Sequence, residues 1–336
     1  MRTATGCIGR YSNESCALES GMKEDDLCVL IKQEPFIEVL PGPEMLQLPF
    51  YNVTVIPNAT FDATSDNNFK PLTSSENMYV QSVCGQTNYP RARIVNGMLA
   101  SRGQFPWVVD AWCTGVLISP RHVLTALHCA SRDPINCVPD NSFIRTTVNF
   151  GGVCRSKNSE CPNGTDMKSV KISRVLYPHD TPVNPHNCIK DSDIAILLLE
   201  EDIEFNDYVK PICIGKLDPN NLVDWKSAGY GQIENKGYSP RLRYINTDLW
   251  KVSDSKAEIF TRGIKNGNKT TTICSGDSGG PVQASFNQSS RTYLAGIHSR
   301  GNACDSTNPY YVSAYVPAFA DWICKITGVC AWNLIV

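Results

Sequence analysis

No part of this chain stays apolar for long. Its longest uninterrupted apolar run, Ile194 to Leu199, covers only a fraction of the roughly 20 residues that a membrane-spanning helix needs, so no such span is expected. Neither sign of charge dominates. With 31 Lys and Arg against 33 Asp and Glu, net −2, there is no broad field to hold nucleic acid or an anionic membrane surface. Partners must therefore be read from local sites. No Cys-x-x-Cys pair occurs, and only His128-Cys129 sets the two zinc-ligand types side by side, so a zinc site is not expected. Met1 to Arg10 lacks the apolar stretch of a secretory leader, and no signal peptide is visible in this chain. One more absence bears on catalysis: no Asp or Glu lies between Ser278 and His298, the only histidine after it.

What the chain does contain is cysteine. Fifteen cysteines in 336 residues, with sequons at Asn13, Asn52, Asn58, Asn163, Asn268 and Asn287, point to an oxidising compartment, disulfides and glycosylation, and so to secretion. At 42% hydrophobic content the chain can bury the core of one large or two modest domains. Residues 1 to about 83 differ from the rest. Cys7, Cys16 and Cys28 come early, and a stretch rich in Pro, Asn, Ser and Thr from Pro41 to Asn77 reads as poorly ordered.

The chemistry is concentrated in Cys274-Ser275-Gly276-Asp277-Ser278-Gly279-Gly280-Pro281. A serine hydroxyl is a weak nucleophile at neutral pH, so Ser278 needs a base beside it and backbone N–H groups aimed at the developing oxyanion. The glycines leave room for both. The same letters fit the Gly-x-Ser-x-Gly elbow of α/β-hydrolases, but that fold requires an acid and then a histidine after the serine. The missing acid excludes it, and Pro281 is badly placed for a helix starting after the serine.

Arg91-Ala92-Arg93-Ile94-Val95-Asn96-Gly97 joins a basic site to two β-branched residues and a turn. Further on, two apolar runs, Cys113 to Pro120 and Val123 to Cys129, form a hairpin signal that ends at His128. Asp193 opens the apolar strand Ile194 to Leu199; the competing Asp191 lacks the Ile-Ala that follows. Taken with the Ser278 loop, these segments resemble the chymotrypsin and trypsin-like serine proteases from Cys84 to about Ile323, with Ser75-Glu76-Asn77 ahead of Cys84-Gly85 resembling a divergent nematode group.

The resemblance implies an all-β fold: two antiparallel six-stranded β-barrels and a C-terminal helix, preceded by a poorly ordered N-terminal pro-region. It divides the chain into a pro-region or linker at 1–83, an activation segment at 84–93 and a protease domain at 94–336. It implies a triad of His128, Asp193 and Ser278 and an oxyanion hole of the Gly276 and Ser278 N–H groups. It further implies activation by cleavage after Arg93, the freed Ile94 amine pairing with Asp277. Disulfides Cys113–Cys129, Cys274–Cys304 and Cys84–Cys213 follow from the same source, and the remaining pairings stay open, with local bridges such as Cys154 to Cys161 among them. The order His, Asp, Ser along the chain agrees with this family and not with subtilisins or α/β-hydrolases.

Specificity departs from the family. Thr272 stands where trypsins carry the pocket aspartate, so cleavage after Lys or Arg is not expected. His298, Ser299 and Gly301 align with the strand that lines the pocket, Arg300 replaces a tryptophan, and Tyr310 falls on the pocket wall. A shallow pocket follows, for small or apolar residues; alternatively His298 with Arg300 receives an acidic side chain, as a histidine does in some glutamate-specific relatives. The expected partners are a protein or peptide substrate, an activating trypsin-like protease and protein inhibitors, with no cofactor or metal, no nucleic acid and no membrane. A second reading is carried by Tyr310 and Arg300: a non-catalytic protease-like binding module with an occluded primary pocket.

Overall fold

The computed structural model describes residues 53–57, 71–88, 98–130, 147–155, 161, 163–178, 193–233, 237–266, 269–270, 272–287, 289–302 and 308–331. They all lie in the compact unit that runs from Phe50 to Val336. Arg93, Ile94 and Cys304 fall outside the described residues, as do Asn13, Asn52, Asn58 and Asn268. The sequons at Asn163 and Asn287 are exposed turn positions.

Two closed six-stranded antiparallel barrels make up the body of this unit. The first is built from β3 (Val108–Ala111), β4 (Cys113–Ser119), β5 (His122–Thr125), β6 (Thr147–Phe150), β7 (Lys168–Pro178) and β8 (Ala195–Leu199), in the order β7-β6-β3-β4-β5-β8, and β7 pairs with β8 to close it. Outside it, β1 (Val53–Pro57) adds to the edge of β7. The second barrel runs β13-β18-β17-β16-β9-β12, closed by the pairing of β12 with β13; β2 (Met98–Leu99) adds to β12. Its strands are β9 (Leu222–Gly229), β12 (Arg243–Val252), β13 (Glu258–Gly263), β16 (Pro281–Phe286), β17 (Tyr293–Gly301) and β18 (Tyr310–Tyr315). Two short ribbons, β10 (Gln232–Ile233) with β11 (Gly237–Tyr238) and β14 (Lys265–Asn266) with β15 (Lys269–Thr270), stand outside the barrels.

The strands form where β-branched and apolar residues crowd, and closure removes the sheet edges that would otherwise remain exposed. Every residue of β5 and β8 is buried. The main core includes Trp107, Leu117, Leu124 and Ile196, and it continues into the second barrel through Tyr230, Leu242 and Ile297. At the interface the Trp107 indole donates to Gln283 Oε1 at 2.8 Å. Helix α2 (Ala320–Thr327) closes the chain with Trp322, Ile323 and Ile326 buried, ends at Gly328 with φ 72°, and is braced by Cys324–Cys330.

Two segments within Pro41 to Asn77 take up regular structure, β1 and the first turn of α1 (Ser74–Val83). Thr73-x-x-Glu76 forms a reciprocal capping box: the Thr73 side chain accepts from the Glu76 N–H, and Glu76 Oε2 accepts from the Thr73 N–H at 2.7 Å. At the other end Arg291 donates to the carbonyls of Gln81, Ser82 and Cys84, satisfying orphan acceptors of the last turn. The segment is docked along its length. Leu72 N–H bonds the Thr327 carbonyl at 2.8 Å, Arg121 bridges Glu76 and Asp202 at 2.9 and 2.6 Å, and Cys84–Cys213 ties it to the loop joining the barrels. Residues ahead of the basic junction are thus fastened to both barrels covalently and by hydrogen bonds. We expect Thr73→Ala to destabilise α1 by about 1 kcal/mol, read as faster amide exchange confined to residues 74–83, whereas Ser82→Ala should leave that exchange unchanged.

Candidate active site

The β5–β8 register brings the first two expected residues together. Thr125 faces Ala195, and continuing that antiparallel ladder by two residues sets residue 127 opposite 193. Leu127–Ala130 then turns as a 3₁₀ helix, with Cys129 bonded to Cys113 on β4, so His128 is held against Asp193 from both sides. His128 Nδ1 lies 2.6 Å from Asp193 Oδ2, and the His128 backbone N–H donates to Oδ1 at 2.9 Å. Asp193 is almost fully buried at 2% exposure, while the imidazole keeps a solvent-facing edge. Burial works against the imidazolium, but the Asp193 charge and hydrogen bond outweigh it and raise the His128 pKa above its ordinary value. Burial likewise opposes the Asp193 carboxylate; His128 more than compensates, and the Ser299 hydroxyl assists from the other side, so its pKa is lowered. Ser299 completes no aligned hydrogen bond there, and its share is therefore the smaller one.

Ser278 sits at the seam of the barrels. Its carbonyl accepts from the Thr114 N–H of β4 at 2.9 Å, and the next N–H, of Gly279, donates to the His298 carbonyl of β17 at 2.8 Å. Gly279 has φ 78°, and a Cβ there would collide with the Thr114 carbonyl and the Thr125 hydroxyl, so no larger residue fits. The Ser278 hydroxyl lies 3.5 Å from the Ser299 carbonyl. Among the described residues the N–H groups of Gly276 and Ser278 donate no hydrogen bond, while the Gly276 carbonyl is held by Thr114 Oγ1 at 3.1 Å. The loop thus leaves the N–H groups of two residues, Ser278 and Gly276, without an acceptor among the described residues.

Asp277 accepts from the Gly231 N–H at 2.7 Å and the Cys274 N–H at 2.9 Å. Some of its surface reaches solvent, but the carboxylate packs against Gly231 so closely that a Cβ at 231 would overlap it. Burial pushes its pKa up to about 6, against the pull of those two donors and of the Arg155 charge. Ile94, the expected partner, lies outside the described residues. Cys274 is disulfide-bonded, and its expected partner Cys304 is likewise outside them.

Beside Ser278 opens a cavity of about 240 Å³ whose lining includes His298, Ser299, Arg300, Gly301 and Tyr311. Two residues expected at this pocket do not line it. Tyr311 takes the place expected for Tyr310, because neighbours on a strand point to opposite faces. Tyr310 faces outward at 36% exposure, with its ring 5.8 Å from Trp250, whereas Tyr311 is 2% exposed. Thr272 also stays out of the lining, its hydroxyl 3.8 Å from Cys274 Sγ. Arg300 is ion-paired with buried Glu258 at 2.6 Å. His298 is buried, its Nδ1 3.2 Å from Ser313 Oγ and its Nε2 without a hydrogen-bond partner among the described residues, and burial lowers its pKa to about 3.

Sequence reasoning missed Thr114, Arg155 and Tyr238, whose ring covers Gly276 so closely that a Cβ there would lie 2.7 Å from it. No local motif marks them. Cys113, His128 and Cys129 cluster as metal-type ligands, but both sulfurs are spent in their mutual disulfide and offer no thiolate.

Among known proteins, the Trypsin family model matches residues 94–323. Mannan-binding lectin serine protease 1 of Mus musculus is 28% identical over 74% of this chain and 37% of its own length, so the chain spans a little over a third of that relative. CLIP domain-containing serine protease C9 of Anopheles gambiae is 28% identical over 85% of this chain and 86% of its own length. Coagulation factor IX of Oryctolagus cuniculus is 30% identical over 68% and 83%.

One pH dependence follows from His298. Its folded-state pKa of about 3 lies below the ordinary 6.5, so as pH falls below 6.5 the unfolded chain takes up a proton that the folded chain refuses, and stability drops. Between pH 6 and 4 the unfolding free energy of the parent should fall faster than that of His298→Gln by roughly 1 kcal/mol per pH unit. Parallel slopes in denaturant titrations would contradict this.

Proposed function

The chain belongs to the trypsin family, and from that premise we propose that it is a secreted serine endopeptidase, made as a zymogen and activated by cleavage after Arg93. Residues 94–336 are the protease domain, 84–93 the activation segment and 1–83 the pro-region. The disulfides and the exposed sequons Asn163 and Asn287 support an extracellular glycoprotein. The carrying observation is the 2.6 Å contact of His128 with buried Asp193, on a hairpin that also holds Ser278 through Thr114.

In this reading Ser278 Oγ attacks the carbonyl carbon of the scissile bond while His128 Nε2 takes its proton. The oxyanion is received by the Gly276 and Ser278 N–H groups. His128 returns the proton to the leaving amine, and water repeats the sequence on the acyl-enzyme. Asp193 keeps the proton on Nδ1 and stabilises the imidazolium. The Ile94 amine, freed by cleavage, supplies Asp277 with a positive charge. The activator is a protease that cuts after arginine, and protein inhibitors would occupy the same cleft.

Among the described lining residues the pocket offers no carboxylate to a cationic side chain, and the Arg300 guanidinium is paired with Glu258. It suits small or apolar residues at the cleaved position. One observation favours a second specificity: His298 Nε2, buried and without a hydrogen-bond partner among the described residues, suits a glutamyl carboxyl. Tyr310, a main ground for an occluded binding module, faces away from the cavity.

The test is hydrolysis of a peptide set by protein cleaved after Arg93, with Ser278→Ala as control. Alanyl peptides should exceed lysyl and arginyl ones by about tenfold or more in kcat/KM; the reverse order would contradict the pocket assignment. On glutamyl peptides, turnover above that on alanyl peptides and lost in His298→Gln selects the second specificity, and parity with alanyl peptides removes it. The acid limb of kcat/KM should lie above the ordinary histidine value, and Asp193→Asn should lower kcat by about 10⁴.

A further inference from the structure

Arg155 belongs to a segment for which the sequence suggested no chemistry. It follows Cys154, which is bridged to Cys161, and its backbone is fastened to the second barrel: its N–H bonds the Pro240 carbonyl at 2.8 Å, and the Val153 carbonyl accepts from Leu242 at 2.7 Å. From there the side chain crosses to the first barrel. Nη2 pairs with Asp110 Oδ1 of β3 at 2.6 Å and donates to the Cys113 carbonyl of β4 at 3.3 Å. Nη1 donates at 3.1 Å to the carbonyl of Tyr230, whose ring lies 4.7 Å from the guanidinium. Tyr230 immediately precedes Gly231, whose N–H holds Asp277. The other end of the same turn is also fixed, since the Tyr230 N–H donates to Thr114 Oγ1 at 3.2 Å.

We propose that Arg155 is a positioning residue for the oxyanion loop: it fixes the Tyr230–Gly231 turn and places a permanent positive charge near the Asp277 carboxylate. The charge argument is electrostatic. Asp277 is a desolvated anion, and the Arg155 guanidinium, although ion-paired with Asp110, still favours its ionised, hydrogen-bonded form, as a contribution smaller than that of the two N–H donors. The steric argument is separate. If the Tyr230 carbonyl loses its donor, the peptide joining it to Gly231 is free to turn, and the Gly231 N–H turns with it. Asp277 would then relax, and Gly276 and Ser278 flank Asp277 in the chain. Arg155 touches no reacting atom. Its effect is confined to how well the donors are aimed, which matters more for the tetrahedral transition state than for the planar ground state.

The proposal rests on the endopeptidase reading, and the experiment separates the two. Parent, Arg155→Gln and Arg155→Lys, each cleaved after Arg93, are compared for kcat and KM on one good peptide. They are also compared for affinity toward a peptidyl boronate, which bonds Ser278 Oγ and sets an oxygen where the oxyanion forms. Arg155→Gln should lower kcat about tenfold, less than the 10² to 10³ lost with a direct oxyanion donor. KM should stay within about twofold, and boronate affinity should fall by the same factor as kcat. Arg155→Lys, which keeps the charge but not the forked donors, should fall between. A merely structural residue would lower the melting temperature, or raise KM, without this pattern. Either variant, cooperatively folded and with parent kcat and boronate affinity, overturns the proposal; if Arg155→Gln does not fold, Arg155→Lys decides. A cleaved parent that turns over no peptide sinks the endopeptidase reading, and this proposal with it.

Discussion

The Asp277 carboxylate is the constraint on which the catalytic loop depends. It is held at the barrel seam by two N–H groups, in surroundings that push its pKa up to about 6. An anion so placed is costly at neutral pH unless a cation joins it, and removing water from one member of such a pair makes the other member decisive. The neighbouring residues, Gly276 and Ser278, carry the unused donors and the hydroxyl. They flank the carboxylate in the chain, so in the proposed reading charge at this point controls how they are presented.

One threonine makes several of the contacts across the seam. Thr114 donates its N–H to Ser278 and its hydroxyl to Gly276, accepts from the Tyr230 N–H with that same hydroxyl, and accepts from Thr125 with its carbonyl. Thr125 is three residues before His128 on the strand that pairs with β8, and β8 presents Asp193. A single side chain and its peptide thus connect the strand leading to His128, the Ser278 loop and the Asp277 pocket. The disulfide Cys113–Cys129 begins next to Thr114 and ends next to His128, closing the same circuit covalently. Every residue of β5 and of its neighbour β8 is buried, so the strands that carry this circuit are closely packed.

Much of this was legible in the sequence because it is local. The Ser278 loop, the Ala-x-His-Cys end of the hairpin and the Asp193 strand start each announce themselves within a few residues, and their order along the chain selects the two-barrel fold. The capping box at Thr73 and Glu76 is local too but was not read, because the Ser, Thr and Asn around it have the composition of a poorly ordered stretch. What was not legible depends on distant contacts or on strand phase. Tyr310 and Tyr311 are adjacent and of one type, and only the register of β18 decides which turns inward. Arg155 gains its meaning from Asp110 and Tyr230, which lie 45 and 75 residues away. Cys324–Cys330 and the docking of α1 against the end of α2 likewise required the folded chain.

Fluorophosphonate labelling before and after limited cleavage at Arg93, with Ser278→Ala as control, tests the account most directly. It asks whether the hydroxyl, the base and the donors act together, and whether a new amine brings them to that state. The account predicts labelling of the cleaved protein, little in the uncleaved chain and none in the variant. Absence of labelling in cleaved, folded protein would contradict it, and equal labelling before and after cleavage would contradict the role given to Asp277.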